Sequence, residues 1–117
     1  MNDLEKILKI LGDKNRLRIL KLLEKKKMCV CELAAVLGIT QPSVSRHLRK
    51  LKMLNLIGEE QDSLWSNYYL RRPVHIYSQK IMGQIRQWLN DDEVVLTDRR
   101  KAGKIHRTKI CCPPRSK

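Results

Sequence analysis

The chain has 117 residues, with 25 Lys and Arg against 12 Asp and Glu and a formal net charge of +13. That length allows one small domain, marginal without a partner subunit, and the charge excess points to a polyanion, of which nucleic acid is the usual one. The chain opens without a signal segment, and no apolar run approaches the roughly 18 to 20 residues that span a bilayer, so no membrane partner and a cytoplasmic location are expected. In that reducing setting the 4 cysteines serve as metal ligands, redox thiols or small apolar residues more often than as disulfides.

Leu4, Ile7, Leu8 and Leu11 recur at helical spacing, and Gly12 breaks the run before Asp13, a natural cap for a second helix. In that helix Leu17, Leu20 and Leu23 keep the period while Lys14, Arg16, Arg18 and Lys21 fall largely elsewhere, and the basic run Lys25-Lys26-Lys27 ends it. Cys29 then stands where a helix cap should stand. With Glu32 three residues on, it has the spacing of a capping box in which sulfur replaces the usual hydroxyl.

A short helix is predicted from about Val30 to Leu37, with Gly38 suited to a left-handed C-terminal position. Thr40 can cap the next helix, where Pro42 is tolerated in the first turn. Helix, glycine turn and helix is the helix-turn-helix pattern. Val44, Leu48 and Leu51 form the core stripe of its second helix, and Arg46 and Arg49 project from the opposite face. No acidic residue occurs between Thr40 and Lys52. Gln41, Ser43, Ser45 and Arg46 are placed to reach base edges, and Arg49 and Lys50 to grip phosphate, because recognition helices enter the major groove by their N-terminal part. His47 falls toward the core side and reads as packing or a local hydrogen bond.

Leu56 to Glu60 and Trp65 to Leu70, separated by a polar stretch, predict a β-hairpin, which makes the motif winged. Glu59, Glu60 and Asp62 make this wing acidic, so the recognition helix and the basic second helix are expected to dominate the electrostatics. After Pro73, Tyr77, Ile81, Ile85, Trp88 and Leu89 form one more amphipathic stripe, surplus to so small a core and suited to a homodimer interface. From Asn90 onward the periodicity fades into an acidic run and a basic tail that holds Cys111-Cys112-Pro113-Pro114. The expected division is a DNA-binding and dimerisation domain over residues 1–90 and a basic, flexible extension over 91–117. No Gly-rich phosphate loop, paired-carboxylate or nucleophile-and-base motif is present, so an enzyme is not expected.

Taken in order, Leu11-Gly12-Asp13 with Arg16-Leu17-Arg18-Ile19-Leu20, then Cys29-Val30-Cys31-Glu32-Leu33, then Gln41-Pro42-Ser43-Val44-Ser45-Arg46-His47-Leu48 and Leu51 resemble the ArsR family of winged-helix metalloregulatory repressors. The likeness runs over about residues 3 to 90. It implies a mainly α fold with a small β-hairpin, a homodimer through its terminal helices, and release of operator DNA when a metal or metalloid binds. It also implies that Cys29 and Cys31 are the sensing thiols of the arsenic- or cadmium/lead-responsive branch, with As(III) or Sb(III) as inducer and Cd(II), Pb(II) or Zn(II) as alternatives; DNA binding itself requires no cofactor. Zinc-sensing members carry Asp and His ligands on the last helix, whereas His75 here has no spaced partners and His106 no metal spacing.

The chain departs from the arsenic pattern at Ala34, where a third cysteine often lies. Trivalent arsenic prefers three thiolates. The tail pair can supply the missing one: roughly twenty residues at up to about 3.3 Å each separate it from the last predicted helix, enough to cross a dimer. A site of Cys29, Cys31 and one of Cys111 or Cys112 is therefore expected, with two separate dithiol sites as the alternative. A thiol-redox or persulfide-responsive repressor of the same fold, and a metal-buffering or chaperone protein, are the competing functions.

Overall fold

Asp13 makes the first corner of the fold: its carboxylate accepts the Arg16 N–H at 3.1 Å and caps helix α2, Lys14–Leu23, which follows helix α1, Asn2–Leu11. The structure, a computed structural model, describes residues 1–62 and 64–105. Among these, α3 (Val30–Leu37), α4 (Gln41–Met53), strands β1 (Ile57–Asp62) and β2 (Trp65–Leu70), α5 (Ile76–Gln87) and α6 (Glu93–Lys104) complete the order. The periodic apolar residues become the core as expected. Ile7, Ile10 and Leu11 of α1 meet Ile19, Leu20 and Leu23 of α2, Leu33 and Val36 of α3, and Val44, Leu48 and Leu51 of α4 in one cluster. Each such side chain contributes on the order of 1.5–3 kcal/mol by leaving water.

The hairpin is a two-stranded antiparallel sheet with Gly58 opposite Tyr69 and Glu59 opposite Tyr68. Met28, the residue before Cys29, pairs with Tyr68 through reciprocal backbone bonds of 3.2 and 2.8 Å. The loop that enters α3 is thus fastened to the wing.

Three expectations change. The predicted stripe after Pro73 runs past the end of its helix: α5 stops at Gln87, and Leu89 takes a φ of 67° outside it. Only Ile85 of that stripe is buried, and Tyr77 and Trp88 are exposed. The stretch after Asn90 is also not featureless, since Asp92 accepts the N–H groups of Val94 and Val95 and starts α6, which packs on α2 and α3. Its inward side carries Val95, Asp98 and Ala102, too sparse an apolar stripe to register as periodic.

The basic face of α2 is the third change, because it turns inward. Lys21 is only 1% exposed, donating to the Ile85 carbonyl at 2.7 Å and pairing with Glu24 at 2.9 Å. Arg18 makes two 2.9 Å bonds to the buried Asp98 of α6, which raise its pKa further. Arg99 reaches Glu24 at 3.1 Å, and Lys26 donates to the Ala102 carbonyl at 3.0 Å. Arg18 and Lys21 are thus committed to neighbouring helices, an engagement that the expectation of a basic second helix dominating the electrostatics did not include.

Candidate nucleic-acid interface and sensing thiols

Cys29 caps α3 with extended backbone, and the box closes as its spacing foretold. The Cys29 N–H donates to Glu32 Oε1 at 2.9 Å, while the sulfur faces the Glu32 N–H. A carboxylate in the first turn also suits the positive end of the helix. Gly38 ends α3 at φ 73°, where its N–H reaches the Ala34 carbonyl, and the Thr40 hydroxyl accepts the Ser43 N–H at 3.3 Å to start α4. Every corner of the helix-turn-helix is therefore made by a residue suited to it.

Helix α4 buries Val44, Leu48 and Leu51 and leaves Gln41, Ser45, Arg46, Arg49 and Lys50 exposed. Ser43 is half-buried, and its hydroxyl accepts from Thr40 at 3.0 Å and from Arg46 Nη2 at 3.1 Å. Ser43 thereby steadies Arg46 from within the helix. Among the described residues, Arg49 and Lys50 make no side-chain hydrogen bond or ion pair, so their charge is available to an anion. Lys52 is engaged with Glu59 at 2.9 Å, and this bond holds the Glu59 carboxyl below its ordinary pKa. Lys27 pairs with Glu60 at 2.7 Å. The acidity of the wing is thus matched by two neighbouring lysines.

The two thiols at the start of α3 form no disulfide and differ in setting: Cys29 is 3% exposed and Cys31 half-buried. Gln41, the first residue of α4, donates from Nε2 to Cys31 Sγ at 3.5 Å. Among the described residues no three His, Cys, Asp or Glu side chains gather as a metal site. Cys111, Cys112 and His106 lie outside the described residues. Because α6 continues to Lys104, however, Cys111 is only six residues beyond Ile105, an extended reach of about 20 Å. That replaces the longer tether expected from sequence. His75 caps α5 through Nδ1, which accepts the Tyr77 N–H at 3.2 Å, and its Nε2 lies 3.3 Å from Asp3.

His47 is half-buried and accepts a hydrogen bond from Arg16 Nε at 3.1 Å. Burial lowers its pKa; nearby Asp13 works against this, and Arg16 and Arg46 add to it. Neither this link nor the Lys21 cluster was expected from the sequence. A signal existed for Lys21, which follows Leu17 by four residues and so lies on the same side of α2.

Two antiparallel strands set against a helix-turn-helix define a winged-helix regulatory protein. No helix among the described residues is long and apolar enough to cross a membrane. Residues 13–58 match the family described as bacterial regulatory protein, arsR family. The chain is 34% identical over 90 residues to the arsenical resistance operon repressor of Escherichia coli, covering 76% of this chain and 75% of that one. It is 31% identical over 111 residues to the arsenic resistance transcriptional regulator ArsR2 of Pseudomonas putida, covering 91% and 95%. The transcriptional repressor BigR of Xylella fastidiosa shares the fold, with a TM-score of 0.66 at 22% identity over 79% of this chain and 88% of that one. The chain belongs to the ArsR family.

Proposed function

We propose that the protein is a homodimeric transcriptional repressor that binds operator DNA through α4 and leaves it when As(III) or Sb(III) binds cysteine thiolates. The observation that carries this reading is the position of Cys29 and Cys31 at the cap and first turn of α3, one glycine turn ahead of the helix that carries Arg46, Arg49 and Lys50. The arsenic-resistance names of two relatives support the choice of inducer. Gln41, Ser45 and Arg46 are assigned to base edges, with Ser43 steadying Arg46, and Arg49 and Lys50 are assigned to phosphates.

Cys29, Cys31 and one of Cys111 or Cys112 are assigned as the three thiolates, the ligand set that trivalent arsenic prefers. Residues i and i+2 within a helix point about 200° apart, but Cys29 stands outside α3 with extended backbone, and that freedom lets it turn toward an ion shared with Cys31 by a change at the cap. A change there re-aims α4, and a differential affinity of a few kcal/mol is enough to empty the operator. The exposed Tyr77 and Trp88 around α5 are assigned to the dimer contact.

The test is release of a selected DNA duplex by arsenite, followed by anisotropy together with sulfur-to-arsenic absorption, in wild type, Cys29→Ser, Cys31→Ser and Cys111→Ser/Cys112→Ser. Unchanged release in the first two variants removes the reading; unchanged release in the third removes only the tail ligand. A thiol-redox response is the second reading, favoured by two cysteines two positions apart that form no disulfide with each other. It requires DNA release by peroxide alone, with a disulfide detectable by mass.

A further inference from the structure

Chelation by Cys29 and Cys31 draws on two sulfurs that already face N–H groups, and the two partnerships are unequal. Cys29 is buried at 3% exposure in a box whose other half is a charge-assisted bond of 2.9 Å to Glu32. Cys31 is more accessible, and its sulfur accepts one neutral N–H at 3.5 Å from Gln41. Sulfur is a weak acceptor. The Cys31 contact is therefore the weaker and more accessible of the two, and its other end is the first residue of α4.

Gln41 is exposed, and bonding to Cys31 uses one of its two amide protons. The remaining N–H and the carbonyl oxygen are the pair that contacts adenine in the major groove. We infer that Gln41 is the positioning residue that links the Cys31 thiol to DNA reading: in the metal-free protein the sulfur orients its carboxamide for a base, and loading of the thiol frees the carboxamide. This rests on the sensing role proposed for the thiols.

The test uses the reduced full-length chain, a duplex selected from a randomised pool, and arsenite as probe. Gln41→Ala and the length-preserving Gln41→Met are each combined with Cys31→Ala in a double-mutant cycle on metal-free DNA affinity. Each single change is expected to weaken binding about five- to tenfold, and the double change no more than either alone. The side-chain amide resonances of Gln41 should shift on Cys31→Ala and on arsenite addition. Gln41→Met should keep the sulfur-to-arsenic absorption while losing most of the factor by which arsenite weakens DNA binding. Additive effects in the cycle, or amide resonances that stay fixed, overturn the inference. If arsenite fails to release wild-type protein, the sensing proposal is what fails, and the metal-free cycle still decides whether Cys31 and Gln41 are coupled.

Discussion

Arg16 of α2 donates from Nε to Nδ1 of His47 in α4 at 3.1 Å, while its Nη1 donates to the Ile10 carbonyl at the end of α1, also at 3.1 Å. One guanidinium therefore joins the first helix to the recognition helix, and the joint requires a neutral imidazole with a free Nδ1 lone pair.

A pH dependence follows from that requirement. Burial holds the folded-state pKa of His47 below its unfolded value, near 6.5. The stability it contributes is fully present above about pH 6.5 and is lost as pH falls through the lower folded value. Urea midpoints measured at about pH 7.5 and about pH 5 should separate wild type from His47→Gln, whose amide oxygen can accept from Arg16 without titrating. Parallel losses in the two proteins would exclude His47 as the source.

Asp98 has 3% side-chain exposure, and both of its oxygens are held by Arg18, which is itself 16% exposed. Asp98→Ala leaves a largely buried guanidinium short of its partner and should cost about 2–3 kcal/mol, below the usual range for a fully buried pair. Hydrogen exchange should show α6 losing protection before α3 and α4 do.

The cap of α3 and the proposed sensing site share Cys29, and substitution separates the two roles. Cys29→Ser keeps a side-chain acceptor for the Glu32 N–H and should hold stability within about 0.5 kcal/mol while abolishing the arsenite response. Glu32→Ala removes the 2.9 Å acceptor of the Cys29 N–H and should cost about 1–2 kcal/mol, with the thiols still present. Equal destabilisation by both changes would contradict the observed box.

Gly38 sits at φ 73°, and nothing lies within 4 Å of where a Cβ would stand. The penalty of Gly38→Ala is then purely that of the left-handed backbone, about 1–2 kcal/mol, readable in thermal unfolding.

Much of this was legible along the chain, and the reason is locality. Asp13, Cys29, Gly38 and Thr40 act on residues within a turn of themselves, so spacing alone exposes their roles. Arg16 with His47, Arg18 with Asp98 and Lys21 with Ile85 span 31, 80 and 64 positions, and no periodicity carries that information. For the same reason α6 went unread: its burial depends on an aspartate that is acceptable inside only because Arg18 meets it. Of the candidate site, the exposed face of α4 was readable from helical phase, whereas the Gln41 contact with Cys31 depends on how α3 and α4 cross.

The wing offers a prediction on ionic strength. Glu59 holds Lys52 at 2.9 Å, so Glu59→Gln should free a cation beside the recognition helix and tighten DNA binding. If Lys52 then neutralises one more phosphate, the log–log salt slope should steepen by about 0.9. An unchanged slope would place Lys52 away from the DNA backbone.

Lys21 and Lys26 close the carbonyl ends of α5 and α6 from a single neighbouring helix and the loop that follows it. Each of the last two helices is therefore tied near its carbonyl end to α2 or its loop, and releasing α5 takes a carbonyl partner from Lys21, which is 1% exposed. Heat should take the described body apart in one cooperative step, with helix content and tryptophan emission changing together. Among the described residues, α5 and α6 then belong to the same cooperative unit as α2.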